Sequence, residues 1–258
     1  MKTVLKSLIS LVLILVLLLV GLVALLFFPQ PLFAEKLELE GLTLYADTEI
    51  SSQMQESARE ALQRISAIEG LDPNRGYRAF YCESHRRYAF LSQIARLNPN
   101  SQGFGLYYAG NMFISEKGLA ANERLGLEAI PFSRFEGSMA HVIAHEAAHF
   151  VHVRRYGFRD SQALPIWKTE GFADWGATVA IRANTDRKDF LPRMEMLQDD
   201  QRWNHEGYYL RRFLKWQLMA EYHFDVCGRS QEAFFDSSLR EEDLWVELSN
   251  WIAEGKSS

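Results

Sequence analysis

The chain is poor in cysteine, and that closes off two classes at once. Two cysteines in 258 residues cannot staple a miniprotein and argue against a cysteine-rich zinc module. A cationic excess is also missing: 28 Lys and Arg face 33 Asp and Glu, for a formal net charge of −5. Phosphate backbones select basic footprints, so no nucleic acid is expected as a partner. Internal repeats and low-complexity tracts are absent as well, which leaves a folded domain rather than an array or a linker. What is present fits that: 48% hydrophobic and 13% aromatic side chains, in a chain long enough for one large domain or two small lobes.

Acids are missing altogether from the first 34 positions, whose only charges are Lys2 and Lys6. From Leu8 to Phe28 only Ser10 and Gly21 interrupt a run of aliphatic and aromatic residues. As a helix that run rises about 31 Å, matching a hydrocarbon core of about 30 Å. Lysines precede it, while Glu35, Glu38 and Glu40 with a single Lys36 follow. That asymmetry places the N-terminus in the cytoplasm and the main domain outside, as a single-pass membrane protein. The competing reading is a cleaved signal peptide, whose apolar region normally spans about 7–15 residues. Leu32-Phe33-Ala34 is a poor cleavage site because Leu32 is bulky. The expectation is a cytoplasmic stub and transmembrane anchor at 1–34, then an exported domain at 35–258. Outside the cytoplasm Cys82 and Cys227 can form one disulfide or stay as two thiols.

Within the exported part, Ser52 to Glu69 reads as a helix. Met54, Ala58, Leu62, Ile65 and Ile68 share a face, Ser52-x-x-Gln55 can form a capping box, and Gly70 supplies the stop. Tyr77 to Cys82 is a strand candidate and Ser84 to Leu97 a second helix. The segments 104–109 and 112–114 flank Gly110-Asn111, which suits a two-residue type II′ hairpin. After Pro131 the pattern turns helical and stays so. Strands early and helices late describe an α+β protein, with a mixed lobe and small sheet at 35–130 and a helical lobe at 131–258.

Ser133-x-x-Glu136 is another capping box, opening a run that reaches Tyr156 and stops at Gly157. Inside it lies His145-Glu146-Ala147-Ala148-His149. Residues four apart on a helix project from one face, one turn apart, which suits two nitrogen ligands on one tetrahedral zinc. Glu146 is rotated about 100° from His145, where its carboxylate can take a proton from a zinc-bound water. A catalytic zinc needs a third protein ligand and an open position. Glu170 and Asp174 are the next carboxylates in helical context, again four apart. Glu170 can complete the metal set, and Asp174 can accept the remaining N–H of a ligand histidine.

His145-Glu146-x-x-His149 followed by Glu170-Gly171-Phe172-Ala173-x-Trp175 resembles the gluzincin branch of zinc metallopeptidases. The similarity is closest to the thermolysin-like and aminopeptidase-N-like catalytic domains and covers about positions 104–224. The resemblance implies that Glu146 is the general base, that Glu170 binds zinc and that Asp174 orients a ligand histidine. It also implies a tyrosine or histidine on a later helix stabilising the oxyanion. Tyr208 is the first choice for that role, then Tyr209, then His205. No Gly-Ala-Met-Glu-Asn-type segment is present, so free-amine recognition of the aminopeptidase kind is not expected.

The blander readings are specific. His141 and His152 lie on the same helix, but a straight helix cannot aim three successive turns at one tetrahedral ion. His141 is therefore assigned to packing or to hydrogen bonding behind the ligands, and His152 to an outer face. His85 and His223 read as surface or capping histidines. Trp167, Trp175, Trp203 and Trp216 read as packing. The function expected is a membrane-anchored zinc peptidase acting on peptide or protein substrates. The rival is a catalytically idle zinc domain used for binding or assembly, which would not need Glu146. A motif buried in a membrane-spanning helix is argued against by Arg134, Glu136, Arg154 and Arg155 around it.

Overall fold

A computed structural model describes residues 2–124, 137–182, 187–199, 203 and 208–255. Its first element is a helix, α1 (Lys2–Phe27). The stretch from Lys6 to Phe27 is long and apolar enough to cross a membrane, a test that a signal sequence also passes.

The fold is mixed α+β around a five-stranded sheet. β1 (Glu35–Leu39) and β2 (Leu42–Ala46) form a hairpin. Its turn needs Gly41: φ is 90°, and an added Cβ would stand 1.9 Å from the Pro73 carbonyl oxygen. A crossover through α2 (Ser52–Ala67) brings β3 (Tyr77–Cys82) parallel to β2. A second crossover, through α3 (His85–Ile94), leads to the hairpin of β4 (Gly103–Leu106) and β5 (Asn111–Ser115). β5 lies parallel to β3 and antiparallel to β4, giving the order β1-β2-β3-β5-β4 with β4 on one edge.

Strand alternation sends Tyr77, Ala79, Met112 and Ile114 into one core and Phe80, Cys82 and Phe113 into another. The first core is closed by α2 and by α5 (Met139–Ser161). The second is closed by α3, by Leu26 from the end of α1 and by Phe33 from the segment that follows it. α4 (Glu116–Arg124) follows β5 directly, a helix that no sequence pattern announced. Beyond α5 come α6 (Ile166–Val179), α7 (Arg187–Gln198), α8 (Tyr208–Glu221), α9 (Gln231–Phe235) and α10 (Glu241–Gly255) around a third core.

Several boundaries differ from the expectation for physical reasons. Ser51, one residue before Ser52, caps α2 by accepting from the Met54 N–H. α3 stops at Ile94 because Arg96 turns left-handed (φ 58°), letting the Leu97 N–H reach the Ser92 carbonyl. The hairpin turn is not Gly110-Asn111 but residues 107–110, with Asn111 already paired to Leu106. Asn111 belongs to β5 because its side chain is fully buried and hydrogen-bonded, a position no two-residue turn provides. Gly157 does end the regular part of α5, at φ 76° and ψ 165°. The capping pair Ser133 and Glu136 lies outside the described residues; Ser138 caps α5, accepting from the His141 N–H. Cys82 and Cys227 are both free thiols.

Candidate metal centre

α5 is buried without a break from Met139 to His152, because the sheet and α2 cover one side and α6 crosses the other. Small residues permit that crossing. An added Cβ on Gly176 of α6 would sit 3.4 Å from the Ala148 Cβ, and one on Gly171 would sit 2.6 Å from the Trp216 carbonyl of α8. α6 is therefore clamped between α5 and α8 at the level of Glu170, and its carboxylates are delivered to the histidines of α5.

The expected residues meet. His145 Nδ1–H donates to Asp174 Oδ1 at 2.7 Å, which leaves Nε2 turned the other way. There it lies 3.2 Å from His149 Nε2 and 3.4 Å from Glu170 Oε2, while His149 Nε2 lies 3.7 Å from Glu170 Oε1. A tetrahedral ion with arms of about 2.1 Å holds its ligands about 3.4 Å apart. Two imidazole nitrogens and the two oxygens of one carboxylate thus converge at close to that spacing, and His145, His149 and Glu170 are a group that could hold a metal. A second group shares His145 with it: His141 Nε2 lies 3.6 Å from Asp174 Oδ1, and one ligand atom from each of His141, His145 and Asp174 lies within 4.8 Å of the others.

The electrostatics also suit a cation. Burial opposes charge on His145, but Asp174 and Glu170 outweigh it and push its pKa up to about 10. Burial pushes His149 down to about 3 and His152 down to about 4. The site therefore favours positive charge where the Nε2 atoms converge, yet keeps His149 as a lone-pair donor. A divalent cation satisfies both demands at once.

Glu146 is 7% exposed and faces β4 rather than α6. An added Cβ on Gly103 would stand 3.5 Å from its Oε1, and one on Gly105 would stand 3.1 Å from its Oε2. The two glycines let the edge strand lie against this carboxylate. Beside it a cavity of about 40 Å³, room for a water molecule, is bounded by Gln102, Gly103, His141, Val142, His145 and Glu146.

Three histidine and tyrosine assignments change or lie elsewhere. His152 is not on an outer face: it is 4% exposed, its ring 5.2 Å from that of His149 and 6.0 Å from that of Phe235, because α9 covers that side of α5. His223 is likewise buried, its Nε2 3.2 Å from the Ser230 carbonyl. The side chains of Tyr208 and Tyr209, and all of His205, lie outside the described residues. A phenol that sequence reasoning missed is near instead. The Tyr107 ring centroid lies 5.7 Å from that of His149, and burial with the charges of Glu146 and Glu170 holds its pKa well above the usual phenol value. The hint in the chain was Gly105, two residues before Tyr107, whose missing Cβ empties the space into which this ring folds. Trp175 is packed as expected, stacked 4.2 Å from Phe224 with its N–H donated to Asp225.

No protein-family model matches the chain, and no curated protein matches it either.

Proposed function

We propose that this chain is a zinc-dependent peptidase, held at a membrane by α1 with its N-terminus in the cytoplasm and its site on the other side. The observation that carries the reading is the convergence of His145, His149 and Glu170, with Asp174 behind His145 and Glu146 beside it. Zinc is the metal chosen because two imidazoles and one carboxylate at near-tetrahedral spacing, with a further position open, are a catalytic zinc set.

A bound zinc would acidify the attacking water and polarise the peptide carbonyl. The chain supplies the rest. Glu146 takes the proton from the attacking water and passes it to the leaving amine. Asp174 fixes the His145 tautomer, so that Nε2 is the donor atom. Tyr107, kept protonated by burial and by two nearby carboxylates, can donate a hydrogen bond beside His149. β4 is an edge strand, so an extended peptide can pair with its outer backbone and be drawn past Glu146 without selecting particular side chains.

Elemental analysis of the purified full chain tests the first half. Zinc retained by the chain and lost from His149→Ala supports it, whereas a chain that binds no divalent metal overturns it. The second half is tested by Glu146→Gln, which should keep the metal and lose hydrolysis of an unfolded protein substrate. Unchanged hydrolysis removes Glu146 as the base. Metal bound with no hydrolysis by the natural chain leaves the idle zinc domain in its place.

A further inference from the structure

The end of α1 is spliced into the domain instead of being tethered to it. Asn111, fully buried at the head of β5, donates its side-chain amide to the carbonyls of Leu26 at 2.8 Å and Phe27 at 3.2 Å. These carbonyls belong to the last turn of a helix, which leaves them without intrahelical partners. Leu26 and Phe33 are buried in the cluster of Phe80, Tyr88, Phe104 and Phe113, and Arg87 covers the Phe33 ring while pairing with Asp47 at 2.7 Å. Removal of the first 34 residues would leave Asn111 without its acceptors and open that cluster to water.

The same end of the fold exposes aromatic rings. The turn 107–110 immediately precedes Asn111, and α5 finishes beside it. Tyr108 is 58% exposed and Phe158 42% exposed, yet their ring centroids lie 4.4 Å apart, and Phe28, the residue after α1, is 67% exposed. Two exposed rings in contact leave apolar surface facing solvent at this end. Charge gathers around it. Arg78 donates to the Ala109 carbonyl of the turn, and Arg75 and Arg154 lie within electrostatic reach of the Tyr77 hydroxyl at the start of β3, with Asp72 the opposing acid. Three arginines thus gather at this end, with Asp72 and the exposed Glu40 of the β1–β2 turn beside them.

We infer that this end of the domain docks on the bilayer surface at the point where α1 leaves it, with Phe28, Tyr108 and Phe158 at headgroup level and Arg75, Arg78 and Arg154 on anionic headgroups. The amphipathic ring of Tyr108 suits that depth, the two phenyl rings can bury at the headgroup–acyl boundary, and each arginine near an anionic surface adds to the attraction. The inference rests on α1 as a retained anchor and not on the peptidase chemistry.

The test uses the full chain carrying Cys227→Ser, with Tyr108→Cys, Phe158→Cys or Val246→Cys labelled by a polarity-sensitive fluorophore. Val246 is 55% exposed on α10 and serves as the reference. Each protein is reconstituted into vesicles of phosphatidylcholine, with or without phosphatidylglycerol and a headgroup-region spin-labelled lipid. Labels at 108 and 158 should emit to the blue of the label at 246 and be quenched several-fold more strongly. Quenching at 108 and 158 no greater than at 246 overturns the docking. Arg75→Glu with Arg154→Glu should reduce that difference in phosphatidylglycerol vesicles only; an equal effect in both lipids overturns the role of the arginines. An intact-mass measurement showing that the exported chain has lost α1 overturns the anchor itself, separately from either result.

Discussion

The two faces of the sheet are packed on opposite principles. Toward α5 the core sets alanines among large aliphatic side chains: Ala58, Ala61, Ala79, Ala140, Ala144 and Ala147 are all fully buried beside Leu42, Leu44, Met112 and Ile143. Toward α3 and the end of α1 it is built from stacked rings, with Phe80, Phe104 and Phe113 at centroid distances of 4.7 to 5.1 Å. Alanine and glycine bring backbones close, so the first face places polar groups with little slack: Glu146 against β4, and His145 and His149 under α6. Aromatic rings cover area with few residues, so the second face binds α1 to the sheet mainly through buried surface, with the Asn111 amide holding the last carbonyls of α1. One face positions and the other attaches.

Substitutions can break or sharpen that contrast. Phe113→Ala should have the largest effect, about 3–5 kcal/mol lost from a fully buried stack, read as a lower denaturation midpoint and a looser contact with α1. On the opposite face Ala144→Leu overpacks a site with no spare volume, at a cost of about 1–3 kcal/mol. If both faces respond alike to enlargement and truncation, the contrast is lost. Asp174→Asn should leave the fold intact and weaken metal affinity about 10–100-fold, measured by competition with a chromogenic chelator. Gly105→Ala should lower turnover while metal content stays unchanged, since the new methyl would stand 2.4 Å from the Tyr107 ring and 3.1 Å from Glu146 Oε2.

A further prediction concerns pH dependence after chelation. His145, whose folded pKa of about 10 exceeds its usual value, contributes stability that is full below about pH 6.5 and lost as pH rises toward 10. His149, lowered to about 3, and His152, lowered to about 4, act oppositely and withdraw stability as pH falls below about 6.5. Their combined contribution to the midpoint of the chelated protein should therefore be highest near neutrality. A midpoint indifferent to pH between 5 and 9, and unchanged by His145→Gln, would remove this account (about the span these histidines cover).

The polar face was largely readable in the chain because its geometry is local. His145 and His149 share a helix face by spacing alone, and so do Glu170 and Asp174; only their meeting required the fold. The attaching face was not readable. Asn111 finds its acceptors 84 and 85 residues away, and nothing in Gly110-Asn111 distinguishes a turn from a strand whose first residue must be buried. Tyr107 was hidden for the same reason: a four-residue turn and Gly105, not a motif, set its ring beside His149. The burial of His152 depends on α9, a helix of only Gln231–Phe235 that arrives from far along the chain.

Gly157 has a geometric consequence. It stops α5 eight residues beyond His149, a helical rise of about 12 Å, and the residue after it carries one of the two exposed rings. With α1 locked to the sheet at that same end, a membrane crossed by α1, as proposed, would lie at a set distance from the histidines. Scissile bonds in a tethered chain would then be chosen by their distance from the surface, before any side chain is read.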